Sequence, residues 1–425
     1  MVKRSDNKMI QGALDGIKVL EIGDQLTQYA GKLLADMGAE VIKVEPSKGV
    51  QSRNIGPFYQ DEPDVNKSLY FWHYNTSKKS VTLDLQTEVD KQRFSHMVSE
   101  FDVVLEDYKP GQMKEWGLDF ENLSKTHPGL IYCSITPFGQ SGPWSQYESS
   151  DLIQLALGGI MAVTGYDDVK DAPPIAPTGG QSAHLSGYFA AMGVISALFY
   201  RDIADGGGQY IDISVHDCVT VSTEMSIPYW EYQKAHVNRQ TGRHALPNRS
   251  SRWNFRCKDG RYILCLNTYL SSGRWRDLVT WLKSKGMEGE LEDERYVDDH
   301  FRATHMEYVC EVLERFCLEH DSEYIFHYAQ SISLPWAPVR APEEMLEDQH
   351  LVEDRNTFVN VRHPELNESF TYPGAPYIFN KTPWKISQRP PLLGEHNNEF
   401  EKYIANEASS AAIGKIRINE RGILK

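Results

Sequence analysis

The stretch Thr178–Phe199, TGGQSAHLSGYFAAMGVISALF, has the form of a reactive turn: two glycines lead into an apolar, helix-forming run. An enzyme places a reacting side chain at such a turn, close to backbone donors that stabilise developing charge. The positions there hold Gln181, Ser182, Ala183 and His184, and none is a carboxylate. Upstream, Asp151 opens the apolar run DLIQLAL. Two readings of it stand: a carboxylate nucleophile at a helix start, or an ordinary N-cap after Glu-Ser-Ser. His184 either faces the vacated position or is a satisfied local hydrogen-bonding group. The aromatic run Phe71–Tyr74 reads most simply as core.

These residues need a scaffold, and the flanking periodicities describe one. GIKVLEIG (16–23) is a buried-type strand, YAGKLLADMG (29–38) a helix closed by glycine, and AEVIKVEP (39–46) the next strand. That is a βαβ unit, so a parallel sheet with right-handed crossovers is expected. Strands at 80–85, 102–107, 130–139 and 204–215 continue the alternation, with helices at 87–100, 151–165 and 186–201. No GxGxxG follows the first strand, so dinucleotide binding is not supported. From about 235 to 252 the chain turns polar and reads as a connection. A hairpin arm at 258–267 and helices at 275–286 and 302–319 then suggest a smaller α/β lobe. Proline-rich segments from about 334 read as loops packed over an existing scaffold.

The chain has 425 residues, 40% of them hydrophobic, enough for two lobes with a sizeable core. A net charge of −15 argues against a nucleic-acid partner. It does not exclude a small anionic ligand held in a local basic pocket. No apolar run is expected to span a bilayer, which takes about 20 residues. The N-terminal segment lacks the apolar stretch of a signal peptide. Six cysteines without CxxC spacing read as buried thiols of a cytoplasmic protein, with no metal site.

Eight segments in order resemble class III CoA-transferases: LDGIKVLEIG, YAGKLLADMGAEVIKVEP, SRNIGPF, NTSKKSVTLDL, PGQMKEWGLDFENLSKTHPGLIYCSITPFGQSGPW, DLIQLALGGIMAVTG, GGGQYIDISVHD and PLLGEHN. The resemblance implies an α/β fold with a Rossmann-like large domain, a small α/β domain, and an interlocked, ring-through-ring dimer. On this chain the divisions expected are 1–225 for the large domain, 226–333 for linker and small domain, and 334–425 for a returning C-terminal segment. The implied chemistry is attack by an aspartate on an acyl-CoA thioester, through a mixed anhydride and an enzyme–CoA thioester.

In the family that aspartate stands four residues before the glycine of a D-x-x-x-G element. The matching glycine here is Gly187, and the matching nucleophile position is Ala183. Asp202 and Asp205 lie at the far end of the following helix, roughly 20 Å away at about 1.5 Å per residue. The racemase branch of the family is excluded as well, because its histidine position holds Ser150. In the segment that lies along CoA in the family, Asp107 replaces an asparagine and Glu115 an arginine. Each reversal is worth on the order of a few kcal/mol against a polyphosphate, though Lys114 next door can compensate. Arg53, Lys78, Lys79 and Lys109 remain as basic candidates for the CoA region, with solvated surface lysines as the plainer reading of the last three. The GEH element, Gly394–His396, matches the family without an assignable role.

Coordinated loss at Ala183, Asp107 and Glu115 fits one chain of a heteromeric CoA-transferase, its homologous partner carrying the aspartate. The resemblance is to the benzylsuccinate type, with a succinyl-CoA donor and an aromatic succinate acceptor. Two alternatives stay open: a self-sufficient homodimer with Asp151 as a relocated nucleophile, and a non-catalytic acyl-CoA-binding protein.

Overall fold

The computed structural model describes residues 12–204, 206–266 and 270–401. The expectations for residues 1–11 and for Asp205 lie outside them. Two compact units divide the chain. The first takes residues up to Gly158, Thr178–Ser222, and Arg355 onward; the second takes Gly159–Pro177 and Thr223–Asp354.

The first unit is built on six parallel strands: β1 (Lys18–Ile22), β2 (Glu40–Glu45), β3 (Lys78–Thr82), β4 (Val103–Glu106), β5 (Ile131–Thr136) and β6 (Gln209–Ser214), in the order β3-β2-β1-β4-β5-β6. The helices are α1 (Gln28–Asp36), α2 (Leu69–Tyr74), α3 (Glu88–Val98), the single turns α4 (Gln112–Glu115) and α5 (Phe120–Leu123), α6 (Asp151–Leu157), α7 (Gln181–Ile203) and α8 (Val215–Val221). The strands are runs of Val, Ile and Leu because such a sheet is covered on both faces. Leu20, Ile42, Val81, Val104 and Tyr132 pack on one side against Phe94, Met97 and Leu123.

The other face is charged as well as apolar. Glu21 on β1 sits level with Lys43 on β2 and takes its ammonium at 2.7 Å; Lys78 on β3 reaches the second carboxylate oxygen, also at 2.7 Å. All three are fully buried. Burial opposes the charge on Glu21, but the two lysines outweigh it and hold the carboxyl below its ordinary range. Lys78 carries the cost: burial pulls its ammonium down to about 8 despite Glu21. Helix α1 clears this cluster with Gly31, whose Cβ would stand 1.8 Å from Glu21 Oε2.

Helix α7 starts at Gln181, five residues earlier than the periodicity indicates, so Ala183 and His184 belong to its first turn. At 23 residues it is long and apolar enough to cross a membrane by length and composition. The sequence expectation of no such run is corrected here. One side of this helix is nonetheless buried in the first unit, through Ala190, Val194, Ala197 and Leu198, and it packs on α1, α8, β5 and β6. Gly187 permits the approach to α1, where a Cβ would lie 2.9 Å from the Tyr29 ring.

The second unit contains α9 (Ser226–Gln233), a small hairpin β7 (Asn238–Gln240) and β8 (Arg243–Leu246), and the antiparallel strands β9 (Asn254–Arg256), β10 (Tyr262–Leu264) and β11 (Ala337–Pro338). Four helices complete it: α10 (Ser272–Ser284), α11 (Asp299–Thr304), α12 (Met306–Glu319) and α13 (Ser322–Ser331). Leu334 and Trp336 are buried in its core with Trp281, so the boundary expected at 333 falls inside this unit.

After Arg355 the chain rejoins the first unit as the hairpin β12 (Phe358–His363) and β13 (Glu368–Pro373), followed by the GEH element. That element binds the sheet edge. Gly394 N–H donates to Ser80 Oγ at 3.0 Å, His396 N–H to the Ser80 carbonyl at 3.0 Å, and Ser80 N–H to His396 Nδ1 at 3.2 Å. It therefore satisfies backbone groups of β3 that an open edge leaves unpaired.

Candidate active site

The first turn of α7 is built by two helices. Ser150 is the N-cap of α6 and accepts from the Ile153 N–H at 3.4 Å. Asp151 is therefore not that cap, as one sequence reading had it; it occupies the next position, and its carboxylate turns to the other helix. Oδ1 accepts from the Ser182 N–H at 2.9 Å and from Ser182 Oγ at 2.7 Å. Gly180, the N-cap of α7, has no side chain to offer, so Asp151 satisfies an orphan donor from outside. Its charge is also favourable at the positive end of a 23-residue helix.

Ala183 follows Ser182 and presents a half-buried methyl group. His184 is held between aromatic groups. Its Nε2 lies 3.1 Å from Tyr74 Oη, and its ring meets Tyr29 edge-on at 4.6 Å. Burial lowers its affinity for a proton, against a hydrogen bond to the Gly179 backbone and the field of Asp151. Tyr29 also donates to Tyr188 Oη at 2.9 Å. Burial together with that hydrogen bond raises the Tyr29 phenol well above its usual range. The groups around Ala183 are thus a capping carboxylate, a low-affinity imidazole and three tyrosines. Tyr29, Tyr74 and Tyr188 carry no sequence signal of their own: they come from three helices, and Tyr74 lies in the run read as core.

The residues expected in the CoA region do not share one setting. Arg53 directs all its donors inward, to Glu45 at 2.6 and 2.8 Å, the Val65 and Pro391 carbonyls and Asn66, with Phe71 under its guanidinium. A phosphate would have to break that set, so the structure gives Arg53 an internal role. Lys78 is neither a surface lysine nor open to a ligand, being locked to Glu21. Lys79, the next residue on the edge strand, is half-exposed and pairs with Glu40 and Glu399, each at 2.9 Å. Lys109 is exposed and pairs with Glu148.

Asp107 sits at the point between β1 and β4 where the strand order reverses, the place where open α/β sheets bind ligands. Its carboxylate crosses that point and accepts from the Asp24 N–H at 2.9 Å and the Leu26 N–H at 3.0 Å. Gly23 leaves the room, since a Cβ there would be 2.0 Å from Asp107 Oδ1. Burial and the neighbouring Asp24 push the carboxyl up to about 6. Beside it, burial pushes Glu106 up to about 7 even though Ser134 and the Tyr108 N–H bond to it. Glu106 lies in a cavity of about 660 Å³ walled by Lys109, Lys114, Phe120, Tyr132 and Tyr210.

An all-parallel sheet in this order, with helices packed against it, defines a Rossmann-like α/β protein. The profile of CoA-transferase family III matches residues 14–397, and the chain belongs to that family of CoA-transferases. It is 29% identical to the succinyl-CoA:(R)-benzylsuccinate CoA-transferase subunit BbsE of Thauera aromatica, over 90% of this chain and 92% of that one. It is 32% identical to the succinyl-CoA–D-citramalate CoA-transferase of Chloroflexus aurantiacus, over 91% and 92%. The crystal structure of a CAIB/BAIF family protein from Brucella suis superposes with a TM-score of 0.79 at 27% identity, covering 92% of this chain and 99% of that one.

Proposed function

We propose that this chain is the subunit of a heteromeric class III CoA-transferase that does not supply the nucleophile. The reaction moves CoA from succinyl-CoA to a carboxylic acid, with an aromatic succinate such as benzylsuccinate as the acceptor favoured by the likeness to BbsE. The observation that carries the reading is the methyl group of Ala183 on the first turn of α7. A transferase of this chemistry needs a carboxylate that is both nucleophile and leaving group. The partner chain, homologous and bearing aspartate at the aligned position, provides it. The pair is an interlocked cytoplasmic dimer. In this chain CoA's phosphates meet Lys109 and Lys114 beside the large cavity, rather than Arg53 or Lys78.

A second reading has one observation in its favour. Asp151 already stands at the N-terminus of α7, next to Ala183, and would be the relocated nucleophile of a homodimer. Against it, Oδ1 is held by two hydrogen bonds from Ser182 that an acylated carboxylate would weaken.

The test is a succinyl-CoA exchange assay on the purified chain alone and co-expressed with an aspartate-bearing homologue, with hydroxylamine and borohydride trapping. Activity only in the pair, with the label on the partner's aspartate, is the expected result. A label on Asp151 in the isolated chain would overturn it in favour of the homodimer. Absence of activity with any homologue would leave an acyl-CoA-binding protein.

A further inference from the structure

The cavity beside Glu106 has a corner made of three rings. Tyr210 on β6 meets Phe120 of α5 at 5.9 Å and Tyr132 of β5 at 5.9 Å, and Phe120 and Tyr132 stand 6.4 Å apart. All three line the opening of about 660 Å³, a volume within the range of about 300–1,000 Å³ common to small-ligand pockets. Tyr210 lies on the edge strand of the sheet and is 40% exposed, so the corner is open to a ligand.

The hydroxyl groups of these rings are already used. Tyr132 Oη donates to the Leu118 carbonyl at 3.2 Å, and Tyr210 Oη to Ser134 Oγ at 3.0 Å, which donates in turn to Glu106. What the corner offers is therefore aromatic surface, whose faces carry the negative end of the ring quadrupole.

The surrounding charge has the same sign. Of the two lysines in the cavity wall, Lys109 pairs with Glu148 and Lys114 with Glu121 at 3.9 Å. Glu106 and Asp119 also line it, and among the described residues no Lys or Arg is paired with either. Burial raises the Glu106 carboxyl, and the charges that add to it are Asp107 and Asp212. Burial likewise raises the Tyr210 phenol, with Asp212 and Glu106 adding to it against the bond to Ser134. For Tyr132 burial is again first, and the charged groups that add to it are Glu106 and Asp119. Three ring faces in a field of carboxylates favour a positive charge over a negative one.

The geometry points to the corner of Phe120, Tyr132 and Tyr210 as a binding site for a small organic ammonium ion, an alkyl- or arylalkylamine whose charge lies against the rings in the field of Glu106 and Asp119. None of the residues lining the cavity belongs to the Ala183 turn. The site is therefore additional to the transferase site and does not depend on the heteromeric reading. Phosphates at Lys109 and Lys114 would compete with Glu148 and Glu121 for those lysines, not with the amine for the rings.

The test is isothermal titration of the full chain in an amine-free buffer. Phenethylamine hydrochloride is the probe, with 2-phenylethanol and 3-phenylpropionate as its neutral and anionic counterparts. The amine is expected to bind once per chain with a Kd of about 1 mM or lower. It is expected to bind about tenfold more tightly than either counterpart, a margin of about 1.4 kcal/mol that a desolvated cation–π contact supplies. Tyr210→Leu keeps an apolar side chain on the edge strand and is expected to weaken the amine about tenfold, with an unchanged circular dichroism spectrum and a cooperative melt. If that variant misfolds, 4-iodophenethylamine soaked into crystals of the wild-type chain decides, its iodine located by anomalous scattering. Iodine in the ring corner supports the proposal. No binding in solution, a counterpart that binds as tightly as the amine, a folded variant of unchanged affinity, or iodine only outside the cavity overturns it. Because the amine is read on the isolated chain, a failed transferase assay bears on the heteromeric reading alone.

Discussion

Asp151 and Ser182 are 31 residues apart in sequence and joined by two hydrogen bonds, from the Ser182 N–H at 2.9 Å and its Oγ at 2.7 Å to the same carboxylate oxygen. This clamp fixes the turn that carries Ala183. It also gives Asp151 a structural task. Asp151→Ala is expected to destabilise the chain by about 1 kcal/mol, the usual cost of a lost helix cap. Urea denaturation measures it, and an unchanged midpoint would mean that water caps the helix equally well.

Restoring the acid is not expected to restore an enzyme. Ala183→Asp places a second carboxylate beside Asp151, and like charges at short range raise the proton affinity of both. The isolated variant should turn over succinyl-CoA at under about 1% of the rate of the assembled pair, since each tenfold in rate is only about 1.4 kcal/mol. Turnover comparable to the pair would show that the pocket lacks nothing but the side chain.

Arg53 and Lys78 provide a contrast between binding and folding. Removing one member of a buried, hydrogen-bonded ion pair typically costs about 3–5 kcal/mol. Lys78→Met, which leaves Glu21 to Lys43 alone and removes the donor to the Gln28 carbonyl and Asn75, and Arg53→Met, which takes the guanidinium from Glu45, should each lower thermal stability sharply. A folded variant with normal stability and a selective loss of CoA affinity, read by isothermal titration, would instead make the residue a phosphate ligand.

The paired acids Glu106 and Asp107 predict a pH dependence. Their carboxyls are raised in the folded state to about 7 and about 6, from ordinary values of 4.5 and 3.8. Between roughly pH 4 and 7 the folded chain then holds protons that the unfolded chain has released. Stability falls as pH rises through that window. The denaturation midpoint is expected to be higher at pH 5 than at pH 8, and Asp107→Asn and Glu106→Gln should each flatten the slope. A slope unaltered in the double variant would place the titration elsewhere.

Gly187 tests the close packing behind the site. Gly187→Ala pushes a methyl group to 2.9 Å from the Tyr29 ring. Overpacking of this kind costs about 1–3 kcal/mol. Because Tyr29 touches His184, near-ultraviolet circular dichroism of the tyrosines should change along with the melting temperature.

Much of this protein is local in origin. Short, nearly continuous apolar runs with helical runs between them were enough for the parallel βαβ order, because a strand buried on both faces is apolar almost throughout. Eight ordered motifs were enough for the family, and the alanine at 183 is visible to the eye. The start of α7 was not, because its cap comes from Asp151 on another helix and Gly180 carries no local signal. Lys78 and Lys79 show the division most plainly. They are identical residues at neighbouring strand positions, and alternation alone says that they face opposite ways. Which of them is an internal cation depends on Glu21, two strands away in the sheet and 57 residues earlier in the chain. Only the tertiary structure decided that, since a buried charge is stable only where the fold brings its counter-charge to it.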